Sequence, residues 1–144
     1  MDQTACYTYF SIRGDFDPEE ITKILGIKPE RTFRKGELNK VGHPYKCSSW
    51  TGCFCREYDI DLSVQMEKTI QPLLSKYEEL NLIRTKYKAY LSLEVVPEIV
   101  YGSDKPILGP SMAVMQFCCA TQTELDIDWY LFPPSDGFST EDDL

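Results

Sequence analysis

Residues 125–132 read Leu-Asp-Ile-Asp-Trp-Tyr-Leu-Phe, and that alternation narrows the folds open to the chain. A strand turns successive side chains to opposite sides. Leu125, Ile127, Trp129 and Leu131 therefore share one face, and Asp126, Asp128 and Tyr130 share the other. The first face is apolar enough to sit on a core. The second sets two carboxylates and a phenol in a row, about 7 Å apart along the strand. Such a strand fits a sheet with one wet side. It does not fit a doubly wound sheet, whose strands are apolar throughout.

The rest of the chain follows the same plan. Residues 6–13 are aromatic and β-branched and read as a strand, with Phe10 and Ile12 on one face. Asp17-Pro18-Glu19-Glu20 opens a helix: Asp17 caps it, Pro18 suits the first helical position, and the glutamates favour the dipole. Ile21, Ile24 and Leu25 follow at helical spacing, and Gly26 suits the left-handed position beyond the last turn. Residues 50–60 alternate again, with Trp50, Phe54, Tyr58 and Ile60 on one face and Cys53, Cys55, Glu57 and Asp59 on the other. A helical pattern runs from about Ser63 to about Arg84, with Pro72 inside it either as a kink or as the start of a second helix. Residues 89–100 set Leu91, Leu93 and Val95 against Tyr90, Ser92 and Glu94. Ser111 begins a helix to about Ala120 that is apolar nearly all round and is expected to be well buried.

The order is strand, helix, strand, helix, strand, helix, strand. It predicts an α+β fold: a two-layer sandwich with a mostly antiparallel sheet of four to five strands and two to three helices on one face. The expected domain is 1–132, followed by an acidic tail, 133–144, that is expected to be disordered. At 144 residues the chain has the length of one domain.

Composition excludes several functional classes. The formal charge is −8 and the isoelectric point about 4.6. That balance repels nucleic acid and anionic membrane and attracts cationic proteins. The start of the sequence lacks a signal-peptide pattern, and no apolar run reaches the ~20 residues that span a bilayer. The expected location is cytoplasmic, where the six cysteines stay reduced.

Chemistry-bearing constellations are weak. His43, Cys47, Cys53 and Cys55 do not match the spacing of a zinc site, so no metal and no cofactor are expected. His43 is the one histidine, and no motif pairs it with Cys47 or Cys53 as a nucleophile. The carboxylate pairs Asp59/Asp61 and Asp126/Asp128 each lie on one strand face, and like environments do not separate an acid from a base. No phosphate-cradling loop occurs. Residues 28–49 carry six basic side chains in an acidic chain, among them Arg31, Arg34 and Lys35.

The segment Gly14-Asp15-Phe16-Asp17-Pro18-Glu19-Glu20-Ile21, then Leu25-Gly26-Ile27-Lys28-Pro29, Arg34-Lys35-Gly36-Glu37, Trp50 and the run from Leu125 to Tyr130 resemble a bacterial family, the domain of unknown function numbered four-two-seven-nine. The resemblance covers about residues 5–132 and includes neither the cysteines nor the tail. The family has no established activity. By size, charge and setting its members are similar to immunity proteins that neutralise toxins.

The expectation is therefore a non-catalytic interaction protein that binds a basic protein, a toxin domain in its sharpest form. Asp126, Asp128 and Tyr130 would form the contact, with Glu57 and Asp59 as a second acidic edge. The alternative is a domain that binds a small anionic ligand, or an enzyme, with Arg31, Arg34 and Lys35 holding the anion beside Trp50.

Overall fold

The computed structural model describes residues 3–57 and 60–134, with the side chain of Glu57 also outside the description. The elements run β1 (Ala5–Gly14), α1 (Pro18–Leu25), β2 (Arg31–Phe33), β3 (Ser48–Glu57), α2 (Leu62–Ile70), a 3-10 turn (Gln71–Leu73), α3 (Tyr77–Lys86), β4 (Tyr90–Val100), α4 (Met112–Thr121), β5 (Glu124–Ile127) and β6 (Tyr130–Phe132). The fold is α+β, a six-stranded sheet with four helices against it. The strand order is β2-β3-β1-β4-β5, with β6 also paired to β4. β1 is central and antiparallel to both β3 and β4, while β5 and β6 run parallel to β4.

One face of the sheet carries the core. Cys6, Phe10 and Ile12 of β1, Trp50 of β3, and Leu91, Leu93 and Val95 of β4 are fully buried there. α2 is fixed to β1 by a hydroxyl pair, Thr8 Oγ1 to Thr69 Oγ1 at 2.6 Å. α4 sets Phe117 edge-on to Phe10, with ring centroids 6.1 Å apart. α1 meets the sheet at Trp50, whose Nε1 donates to Thr22 Oγ1 at 3.0 Å. Gly52 is small for this reason: a Cβ there would sit 3.0 Å from the Trp50 ring.

The caps explain where α1 begins and ends. Asp17 Oδ1 accepts from the Glu19 N–H at 3.0 Å and also lies 2.8 Å from Arg34 Nη1. Gly26 ends the helix at φ +68° and donates to the Thr22 carbonyl at 2.7 Å. Asp17→Ala is expected to lower stability by about 1–2 kcal/mol in urea denaturation, with Asp17→Asn recovering most of it. An unchanged midpoint in the alanine variant would show that the cap contributes nothing.

Several expectations need correction. The helical pattern over 63–84 is two helices. Pro72 lies in the intervening 3-10 turn, α2 is capped by Asp61, which accepts from the Ser63 N–H, and α3 starts only at Tyr77. α4 is not buried all round: Val114, Phe117 and Thr121 are, while Met112 and Met115 face outward. It packs against α2 and α3 at the margin of the helical layer, so only one stripe finds partners.

The strand over 125–132 is broken at Asp128 and Trp129 into β5 and β6. Both pieces lie on the far side of β4, where the helical layer covers less. Ile127 packs on the core, but Trp129 and Leu131 are 51% and 60% exposed and line a groove of about 410 Å³ with Tyr101 and Pro106. The expected tail falls mainly on residues 135–144, outside the described residues.

Candidate functional site

The four helices cover one side of the sheet, and among the described residues no element covers the other, the open side. Alternation along β1 turns Tyr7, Tyr9, Ser11 and Arg13 to that open side. β3 adds two residues through a bulge. Thr8 pairs with Cys55 and Phe10 with Gly52, so Cys53 and Phe54 together oppose Tyr9. Cys53 takes φ +57° to make the extra step. The step reverses the phase of β3. Trp50 faces the helices, whereas Phe54 faces the open side and stacks on Tyr9, centroids 4.5 Å apart and planes within 7°. This corrects the placement of Trp50 and Phe54 on one face.

The rings form a platform. Tyr7 stacks with Tyr9 at 6.2 Å, and the Arg56 guanidinium lies 4.5 Å above the Tyr7 ring while its Nη1 contacts Glu98 Oε1 at 2.8 Å. On one side of the platform, toward β2, lie Arg13 and Arg31. On the other side, β4, β5 and the short link from β5 to β6 supply carboxylates.

The register concentrates those carboxylates. Glu94 of β4 pairs with Tyr9 on one side and Asp126 of β5 on the other, and Ser92 pairs with Glu124. Burial, and then a hydrogen bond shared with Asp126, push the Glu94 carboxyl up to about 7, although Ser92 Oγ donates to it at 2.8 Å. Four phenols around this region are raised as well. Burial leads for Tyr7, Tyr9 and Tyr90, with added repulsion from Glu98, Glu94 and Glu124 respectively. For Tyr130 the leading cause is its hydrogen bond to Asp128 Oδ2, at 3.1 Å. One negative field reaches all four.

The expected contact residues Asp126, Asp128 and Tyr130 are exposed and lie together on this open half. Glu57 closes β3 opposite Cys6, but its side chain is outside the described residues, as is Asp59. Reasoning from sequence missed Glu94 as a partner of Asp126. The alternation put Glu94 on the polar side of its strand, and only the parallel β4–β5 register brings the two together.

The set Arg31, Arg34, Lys35 and Trp50 does not converge. Arg34 is held by Asp17, Glu19 and Glu37, Lys35 by Asp15 at 3.4 Å, and Trp50 is buried on the other side of the sheet. Only Arg31 reaches the open face.

Burial, and secondarily Glu30, push the Cys53 thiol up to about 11, away from the reactive thiolate. Among the described residues no three of His, Cys, Asp and Glu gather as a group able to hold a metal ion, and no helix is long and apolar enough to cross a membrane.

The sequence model of one family, described as a domain of unknown function (DUF4279), matches residues 4–132. No curated protein and no solved structure matches the chain.

Proposed function

We propose, starting from the fact that this chain belongs to the DUF4279 family, that it is a non-catalytic module whose acidic, aromatic sheet face binds a basic protein. In its sharpest form the partner is a basic toxin domain, which the chain neutralises as an immunity protein does. The observation that carries the reading is the Glu94–Asp126 pair. The exposed Asp126 and the largely buried Glu94 are held together and repel each other once both ionise; among the described residues no cation makes an ion pair with either, and Arg13 acts on Glu94 only as a minor opposing charge. A lysine or arginine brought by a partner relieves that repulsion, so binding recovers free energy that folding leaves unspent. The flanking rings give such a partner rigid apolar area at low entropic cost.

The test combines a titration with a growth assay. A lysine-rich peptide added to isotope-labelled protein is expected to shift the amide signals of Glu94, Asp126, Asp128 and Tyr130, and to do so less as salt rises. The neighbourhood of this gene is expected to encode a basic toxin domain, and co-expression of the chain with that domain is expected to restore growth. The double variant Asp126→Lys, Asp128→Lys is expected to bind at least tenfold more weakly and to lose rescue. Undiminished binding in that variant, or peptide shifts confined to the helical side, would overturn the reading.

A further inference from the structure

Three of the five arginines are engaged by the protein itself: Arg34 by three carboxylates, Arg56 by Glu98, and Arg84 by Asn81 Oδ1 at 2.8 Å. Among the described residues, Arg13 and Arg31 make no ion pair and no side-chain hydrogen bond, in a chain with 23 acidic residues. Both line one groove of about 290 Å³ on the open sheet face, on the β2 side of the aromatic platform. Two guanidiniums left unpaired in the same concavity repel each other and attract an anion.

The remaining lining says what kind of anion. Tyr9 and Phe54 form one wall as a parallel stack, and Phe33 adds a third ring. Hydroxyls complete the floor. Thr51 Oγ1 is used by the Arg31 carbonyl, whereas Ser49 has no such partner among the described residues. Ser11, between Tyr9 and Arg13 on β1, faces the same side; its Oγ is buried and lacks a hydrogen-bond partner. The volume lies just under the ~300–1,000 Å³ of ordinary ligand pockets, so it suits one planar ring system with one charged group.

We propose that this groove binds a small planar aromatic anion, its ring extending the Tyr9–Phe54 stack and its carboxylate or phosphate held by Arg13 and Arg31. The carboxylates of β4 and β5 orient it. Glu94 and Asp126 repel the anionic end, which therefore points toward Arg31 and the β2 edge, away from the surface proposed to hold a basic partner.

Calorimetric titration tests this with four probes: a nucleoside 5′-monophosphate, an indole carboxylate, inorganic phosphate and the uncharged nucleoside. Saturable binding of either aromatic anion is expected, at least tenfold tighter than phosphate or nucleoside alone. Which aromatic anion binds identifies the charged group as phosphate or carboxylate. Arg13→Gln and Arg31→Gln are each expected to weaken it at least tenfold. Both side chains are exposed, and thermal melting confirms that the variants fold. Asp128→Lys, on the proposed partner surface and outside the carboxylates that orient the anion, is expected to leave this binding in place. Three results would each overturn the proposal: no saturation by any aromatic anion at millimolar concentration, phosphate binding as tightly as the nucleotide, or arginine variants that bind like the parent.

Discussion

Trp50→Ala is expected to destabilise the protein by about 3–5 kcal/mol, enough to leave a domain of ordinary stability largely unfolded at mild urea concentrations. The indole is fully buried between β3 and α1, packed over Gly52, with its N–H bonded to Thr22. Its removal leaves a cavity and takes from Thr22 Oγ1 the N–H it accepts from, although that hydroxyl still donates to the Pro18 carbonyl. Trp50→Phe keeps most of the apolar volume and loses the hydrogen bond, so its cost is expected to be about 1–2 kcal/mol. Chemical denaturation followed by circular dichroism reads both. The phenylalanine variant also separates two roles for the residue. With Trp50 on the helical side, Trp50→Phe leaves anion binding on the open face unchanged. A large loss of binding without loss of fold would place the indole at the ligand instead.

Stability is expected to fall as pH rises from 5 to 8. Glu94 titrates at about 7 in the folded chain against an ordinary value of 4.5. Between those values the native chain holds a proton that the unfolded chain has released. The stabilisation is fully present below the unfolded value and is lost as pH passes through 7. Glu94 is largely buried but its partner Asp126 is open to water, so screening trims the effect to about 1–2 kcal/mol. Glu94→Gln is expected to flatten the profile and to be the more stable protein at pH 8, and Asp126→Asn to do so in part. Urea midpoints measured across the range decide it. A parental slope that persists in Glu94→Gln would assign the effect to another group. Retention of a destabilising carboxylate pair agrees with the binding surface proposed above, since function is commonly kept at some cost in stability.

Local chemistry made much of the fold legible. Asp17-Pro18 and Gly26 mark both ends of α1 because caps depend on a few neighbouring residues. The alternation in β1 and β4 gave the core faces correctly, with Phe10, Ile12, Leu91, Leu93 and Val95 all buried. Legibility failed where a tertiary event intervened. The bulge at Cys53 is a single-residue slip against β1, and nothing in residues 50–57 marks it except that Phe54 then meets Tyr9 instead of Trp50's neighbours. The break at Asp128 and Trp129 follows from the two parallel pairings with β4, which a period-two pattern cannot reveal. The site suffered in the same way. Asp126 and Tyr130 were visible as an acidic, aromatic row, but Glu94 joined them through register, and Arg13 and Arg31 met through the β1–β3–β2 order. The basic stretch 28–49 read as an anion loop, yet its Arg34 and Lys35 are consumed by carboxylates at and just before the start of α1.

The central position of β1 has a consequence for biosynthesis. Arg13 pairs with Tyr90 and Ala5 with Glu98, so β1 is completed by a strand that emerges from the ribosome much later than it does. At ~5–20 residues per second the nascent segment waits roughly 4–20 s for that neighbour. During the interval its cysteine, tyrosines and phenylalanine are paired on one side at most, with β3. The newborn chain is therefore a natural client for holding chaperones, and slowing translation between α2 and β4 is expected to lengthen that exposure and lower the yield of native protein.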